Sequence, residues 1–222
     1  MDKEAESTMA DITIRVAEPS DADFLAWLIL TAGRAHVSKG IWEVILGMPE
    51  EQCRNFLSLL SVTVVPHLFH HSCYLVADVG GVPKAGLGGY DPNTSGNAAL
   101  FQALPGVFQR LGGGNPSMSQ SDALPRILNC IPEPVAGAWM IDSVAVVPES
   151  RRQGIVSRLL ETVLQQGRDK GFRRAQVNIY IGNTAAQRLY EAHGFAIKDE
   201  ILDPYFEAEI GSPGMARMLK EL

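Results

Sequence analysis

Residues 144–156 read Val-Ala-Val-Val-Pro-Glu-Ser-Arg-Arg-Gln-Gly-Ile-Val. An apolar strand over Trp139–Val147 enters this stretch, and a short polar loop follows it. An amphipathic helix over Arg152–Gly167 then leaves it, with Ile155, Leu159, Leu160, Val163 and Leu164 on one face and Arg158, Glu161, Gln165 and Arg168 on the other. The first amides of a helix lack internal partners, and the helix dipole favours an anion beside them. Gly154 carries no side chain, so its backbone can lie close to a phosphate. Arg151 and Arg152 add charge-assisted donors. Arg151, Arg152, Gln153, Gly154, Ile155 and Val156 therefore read as a diphosphate cradle without a Walker lysine. Taken alone, the stretch reads equally well as a helix start with two solvated arginines.

Upstream, Ile12 and Ile14 alternate with Thr13 and Arg15 as in a strand. Pro19-Ser20-Asp21 offers an N-cap for a helix with the stripe Phe24, Leu25, Leu28 and Ile29, and Gly33 is a plausible stop. Ile41–Leu46 and a segment starting at Pro49 read as further helices. Cys73–Val79 and Ala85–Tyr90 read as strands joined by a hairpin at Gly80-Gly81. Residues 91–138 are rich in Gly, Pro, Asn and Ser, with breakers at Gly112-Gly113-Gly114 and Asn115-Pro116. Ala98–Phe108 and Ser121–Cys130 offer short helices there. The region is too long for an ordinary connection and reads as an insertion, a lid or a mobile segment. Downstream, Ala175, Val177 and Ile179 alternate with Gln176, Asn178 and Tyr180 as a strand. Asn183 caps a short helix that Gly194 ends, and Phe195–Lys198 and Met215–Leu219 close the pattern. Strands interleaved with helices imply an α/β or α+β sandwich around one central sheet.

The order of strand, cradle, helix, strand, Asn-capped helix and Gly-Phe resembles the GNAT superfamily of acyl-CoA-dependent N-acetyltransferases. The family signature Arg/Gln-x-x-Gly-x-Gly/Ala maps to Arg151, Gly154 and Val156, where Val156 departs from the usual small residue. The signature Asn-x-x-Ala-x-x-x-Tyr-x-x-x-Gly-Phe is matched at Asn183, Ala186, Tyr190, Gly194 and Phe195. The likeness covers Trp139–Lys198 most strongly, and Ile12–Leu30 resembles the family's opening strand and helix. It implies a mixed sheet with a V-shaped splay between two parallel strands and helices on both faces.

The resemblance further implies that strand backbone at Val144, Ala145 and Val146 pairs with the pantetheine arm of acetyl-CoA. A primary amine then attacks the thioester in a ternary complex. Tyr190 protonates the departing thiolate, and Asn183 and Ala186 meet the CoA arm. Asp142 shares strand parity with Val144 and Val146, which would face it to the acceptor groove, and is the candidate base, with Glu43 a weaker one. At helical spacing Tyr190 also suits a packed aromatic, and Asp142 a structural acid. Dimers are common among proteins of this resemblance.

Composition sets limits. With 222 residues, 46% of them hydrophobic, the chain can build a sizeable core. Residues 1–10 read as a loose tail and 11–222 as one domain with the insertion at 91–138. A net charge of −6 lacks the positive field that nucleic-acid binding needs; it suits a basic acceptor, a small-molecule or peptide amine, or serves solubility alone. Three scattered cysteines argue against a disulfide framework, and no run reaches the roughly 18 apolar residues of a membrane span. A cytoplasmic place is expected, with neither membrane nor metal. His67, His70, His71 and Cys73 lack a clear second pair of zinc ligands. Gly86-Leu-Gly88-Gly89 fits strand packing better than a phosphate loop. A non-catalytic acyl-CoA sensor is the second reading. A nucleotide enzyme is a third, weakened because both the Gly-x-Gly-x-x-Gly and the Gly-Lys-Ser/Thr fingerprints are missing.

Overall fold

Tyr74–Val79 and Val82–Tyr90 form the expected hairpin (β2 and β3), turning on Gly80 and Gly81 at φ 61° and 80°. The computed structural model describes residues 12–113 and 122–222, so the expected tail at 1–10 and the breakers at Gly114–Pro116 lie outside the described residues. The hairpin belongs to a seven-stranded sheet completed by β1 (Ile12–Val16), β4 (Ala138–Val146), β5 (Arg174–Tyr180), β6 (Ala196–Leu202) and β7 (Gly214–Glu221). Its order is β1-β2-β3-β4-β5-β7-β6. β4 and β5 run parallel and the other pairs run antiparallel. This is the mixed α/β architecture expected from the sequence.

Helices cover both faces of the sheet, which is why its central strands are apolar on both sides. Tyr74 and Val76 of β2 pack toward α1 (Ala22–Arg34) and α3 (Glu50–Ser61), while Leu75 and Ala77 pack toward α7 (Ile155–Asp169). A third apolar cluster joins α2 (Ile41–Leu46), α6 (Ala123–Cys130) and α9 (Pro204–Ile210) to Tyr180 and Met215. The described part of the 91–138 region holds α4 (Pro92–Ser95), α5 (Asn97–Arg110) and α6. α8 (Thr184–Ala192) follows β5, with its Asn183 cap accepting from the Ala186 N–H at 3.2 Å.

Three sequence expectations need correction. The helix after the cradle starts at Ile155 rather than Arg152, because Arg152 and Gly154 both adopt positive φ, 62° and 73°. Gly33 does not stop α1. It is buried one residue before the helix end, where a Cβ would lie 2.7 Å from Trp42 Cδ1. The Asp21 carboxylate does not cap α1; it accepts from the Glu18 N–H at 2.7 Å and from Arg15 at 2.6 and 2.9 Å. Arg15 also reaches Asp78 at 2.6 Å, so one guanidinium fastens β1 to β2 and to the start of α1.

The glycines of β3 are places of close approach. A Cβ at Gly86 would lie 2.5 Å from Leu28 Cδ1 of α1, and one at Gly89 would overlap Val163 Cγ2 of α7. Overfilling such a contact costs about 1–3 kcal/mol. Gly89→Ala is therefore expected to lower stability by about that amount in a denaturant titration, and Val163→Ala in the same chain should recover part of the loss. Strict additivity of the two changes would show that the α7–β3 contact is not the cause.

Candidate active site

β4 pairs with β5 from Ala138↔Arg174 to Ile141↔Val177 and then leaves it, although β4 continues to Val146 and β5 to Tyr180. On its other edge β5 stays paired with β7 as far as Tyr180↔Met215. The two parallel strands therefore part beyond Ile141, as the V-shaped splay requires. Against β3, the register jumps from Gly88↔Asp142 to Gly86↔Ala145, with Ser143 at φ 50°. Ser143 and Val144 together face one residue, Leu87, which is a β-bulge.

The bulge reverses the alternation of side chains along β4. Before it, Met140 packs with α1 and α3 while Trp139 and Ile141 pack with α7. After it, Ala145 lies on the α1 side and Val144 and Val146 on the α7 side. The sequence placed Asp142 on one face with Val144 and Val146 by simple alternation, and that parity fails here. Asp142 follows Met140 instead, and it lines a cavity of about 660 Å³.

The same cavity is lined by Ser143, Val144, Asn183, Ala186 and Tyr190. Asp142 Oδ1 accepts from the Ser143 N–H at 2.6 Å and from its hydroxyl at 3.2 Å. Burial pushes the Asp142 carboxyl above the usual aspartate range, outweighing those two bonds. Tyr190 is 3% exposed and packs edge-on against Phe195, with ring centres 5.5 Å apart. Burial, and then the negative charge of Asp142, raise its pKa, so the hydroxyl keeps its proton at neutral pH.

Sequence reasoning missed that Tyr74, Tyr90 and Tyr180 also feel Asp142. The Tyr180 hydroxyl donates to the Gly33 carbonyl at 2.5 Å, and that of Tyr74 is buried beside Ser143 without a well-formed hydrogen bond. These tyrosines come from separate elements, and their only linear signal is a tyrosine at the end of each strand.

The cradle lies at the end of the same strand. A single 3-10 turn, Pro148–Ser150, leads into exposed Arg151, Arg152, Gln153 and Gly154. Gly154 occupies the N-cap of α7 with no side chain to cap it, so the first amides of the helix keep their donors. Among the described residues neither the Arg151 nor the Arg152 guanidinium has a hydrogen-bond or salt-bridge partner, and the Arg151 N–H donates to the Pro148 carbonyl. Gln153 is different: its side chain donates to the Glu149 carbonyl at 3.2 Å. Ile155 is buried under the helix, leaving only its backbone for a ligand, and Val156 is half-buried. Uncapped amides with two free guanidinia beside them fit a diphosphate.

Other candidates are structurally engaged. Burial pushes the Glu43 carboxyl up, but the Arg34 guanidinium at 2.6 Å and the Gly40 N–H at 2.7 Å hold it below the usual range. It is an ion-pair partner and a helix cap rather than a base. Burial lowers His67 to about 4, and its ring accepts from the Phe69 N–H at 3.1 Å. His70 accepts from the Ser72 N–H and bonds its hydroxyl, and the His71 ring donates to the Ala17 carbonyl. These histidines brace the loop before β2.

Residues 126–195 match the acetyltransferase (GNAT) family model. No curated protein sequence matches the chain. Among solved structures, an acetyltransferase is 20% identical with a TM-score of 0.69, the match covering 94% of this chain and 98% of that one. An N-acetyltransferase from Staphylococcus aureus Mu50 is 18% identical with a TM-score of 0.65, covering 94% and 100%. A GCN5-related N-acetyltransferase from Kribbella flavida is 18% identical with a TM-score of 0.55, covering 95% and 98%. These structures share the fold.

The cradle gives a direct expectation. Gly154→Val places a β-branched residue at φ 73°, a strain of about 1–3 kcal/mol. The same residue adds bulk where a phosphate would approach. The affinity for CoA measured by calorimetry is expected to drop at least ~10-fold, the equivalent of about 1.4 kcal/mol. A folded variant that keeps its affinity would sink the pyrophosphate assignment.

Proposed function

We propose, from the match of residues 126–195 to the acetyltransferase (GNAT) family model, that this chain moves an acetyl group from acetyl-CoA to a primary amine by direct attack in a ternary complex. One observation carries the reading. Asp142 and Tyr190 line a single cavity beside the point where β4 leaves β5, and the free backbone edge of β4 leads from there to the cradle.

Arg151 and Arg152, with the backbone of Gln153–Val156, hold the pyrophosphate of CoA. The edge Val144–Val146 and the side chains of Asn183 and Ala186 guide the pantetheine arm into the splay. When bound, acetyl-CoA supplies the activated acyl group. The chain's own residues do the rest: they orient, exclude water and move protons.

Asp142 accepts the proton that the amine loses as its nitrogen bonds the acyl carbon. A carboxyl with a raised pKa is better matched to that task than an ordinary surface aspartate. Tyr190 gives its hydroxyl proton to the CoA sulfur as the carbon–sulfur bond breaks. Its raised pKa keeps that proton in place until then. The proton gained at Asp142 balances the one lost at Tyr190, and the charge of Asp142 acts on that hydroxyl, so the two steps are linked.

Tyr190→Phe is expected to lower kcat by ~10²–10⁴-fold, the usual range for losing a general acid, with CoA affinity retained. For the wild type, kcat/KM should rise with pH through a limb lying above the usual aspartate range, because Asp142 must be ionised to act and burial raises its pKa. Asp142→Asn should remove that limb along with most of the rate. An Asp142→Asn enzyme with an unchanged pH profile would assign the base elsewhere. Tight CoA binding with no release of free thiol on any amine would favour a sensor domain instead.

A further inference from the structure

We propose that the acceptor is an apolar monoamine, with its nitrogen at Asp142 and its hydrocarbon body in the chamber beyond. The proposal rests on the acetyl-transfer reading above and names the acceptor class for that site.

The cavity does not end at the catalytic groups. From Asp142 and Tyr190 it extends between two helical walls. One wall comes from α1, α2 and α3 and includes Ile29, Ile45 and Phe56. The other comes from the 91–138 region and includes Leu100, Leu104 and Leu128. At about 660 Å³ it is in the range of sites that enclose a small molecule. Its walls are mostly aliphatic and aromatic, with Asn97, Ser143, Asn178 and Asn183 as uncharged polar side chains. Among the described residues that line it, the charged ones are Asp142 and Glu133. Glu133 is exposed, and its backbone carbonyl accepts from Gln176 at 3.1 Å and Arg217 at 3.0 Å, which fixes it at the edge of β5. The interior therefore offers one buried charge, and that charge is negative.

Charge matching follows from elementary electrostatics. One carboxylate in an apolar chamber favours one ammonium, which leaves its extra proton with solvent as it enters, so that Asp142 stays ionised to take the proton released on attack. A second charged group on the acceptor would be stripped of water against leucine and phenylalanine, and an unpaired buried charge is strongly disfavoured. A carboxylate on the acceptor would add repulsion from Asp142. Amino acids and polyamines are thus poor fits, while an amine on an alkyl or aryl body gains from every methylene it buries. α5 and α6 form the acceptor-side wall on this account, so they set specificity.

The test compares acceptors with acetyl-CoA saturating: butylamine, octylamine, 2-phenylethylamine, phenylalanine, spermidine and a lysine-containing peptide. We expect kcat/KM for 2-phenylethylamine to exceed that for phenylalanine at least 100-fold. From butylamine to octylamine it should rise by about two- to fourfold per methylene. Ala32→Leu, which narrows the chamber from α1, should shift the octylamine-to-butylamine ratio at least tenfold toward the shorter amine. Preference for phenylalanine, spermidine or the peptide would overturn the apolar-monoamine assignment while leaving acetyl transfer intact. So would a folded Ala32→Leu enzyme with an unchanged chain-length preference. No turnover of any acceptor despite CoA binding would overturn the acetyl-transfer reading, and this inference with it.

Discussion

β5 cannot follow β4 past Ile141, and the site depends on that separation. β5 is bonded to β7 over its whole length, from Arg174↔Glu221 to Tyr180↔Met215. β4 is bonded to β3, and the Ser143 bulge bends it away. Two strands held by opposite neighbours must diverge once their shared pairing ends. Divergence leaves backbone N–H and C=O groups of β4 facing a gap, and such groups need partners. A ligand arm with amide groups of its own can supply them. The bulge that opens the gap also reverses the side-chain alternation, turning Asp142 toward α1 and Val144 toward α7. One irregular residue thus creates both the unpaired edge and the position of the acid beside it.

The placement of Asp142 is costly to the fold. Burial raises its pKa, so the folded chain holds that proton more tightly than the unfolded chain does. Ionising it therefore weakens stability as pH rises through that range. Asp21 has the opposite sense. Its Arg15 partner lowers its pKa against the effect of burial, so its contribution is present at neutral pH and fades as pH falls through the folded value. At neutral pH the chain keeps a stabilising acid where β1, β2 and α1 meet, and a destabilising one in the cavity beside the splay. Burial of both kinds is tolerated because large apolar clusters lie on each face of the sheet.

Much of this was legible in the linear sequence. Gly80-Gly81, the stripe Ile155–Leu164 and the Asn183 cap each carry local chemistry that holds whatever the rest of the chain does. The order of elements from Trp139 to Phe195 likewise pointed to the fold, and Asp142 and Tyr190, both singled out from the sequence, line one cavity. The failures share a cause. Helix start, Gly33 and Asp142 parity each depend on a backbone angle or a distant neighbour that no periodicity encodes. Ser143 at φ 50° is neither glycine nor asparagine, so nothing in its identity announces a bulge. The tyrosines around Asp142 come together only when β2, β3, β5 and α8 are assembled.

The polar side of β5 shows how the chamber is closed. Alternation alone would leave Gln176, Asn178 and Tyr180 facing water, yet Gln176 is fully buried and Tyr180 nearly so. Gln176 accepts from the Val135 N–H at 2.8 Å and donates to the Glu133 carbonyl at 3.1 Å, while Asn178 donates to the Pro132 carbonyl at 2.9 Å. Pro132–Val135 is thus held to β5 by side chains instead of a ladder. Amide side chains satisfy that backbone without competing for the edge that β4 needs, so the segment can cover the sheet while the splay stays open. It also anchors the C-terminal end of the 91–138 region, which brings Leu124 and Leu128 of α6 to the cavity opposite α2. The polar residues that make β5 look like a half-exposed strand are what fasten the α6 wall of the cavity to the sheet.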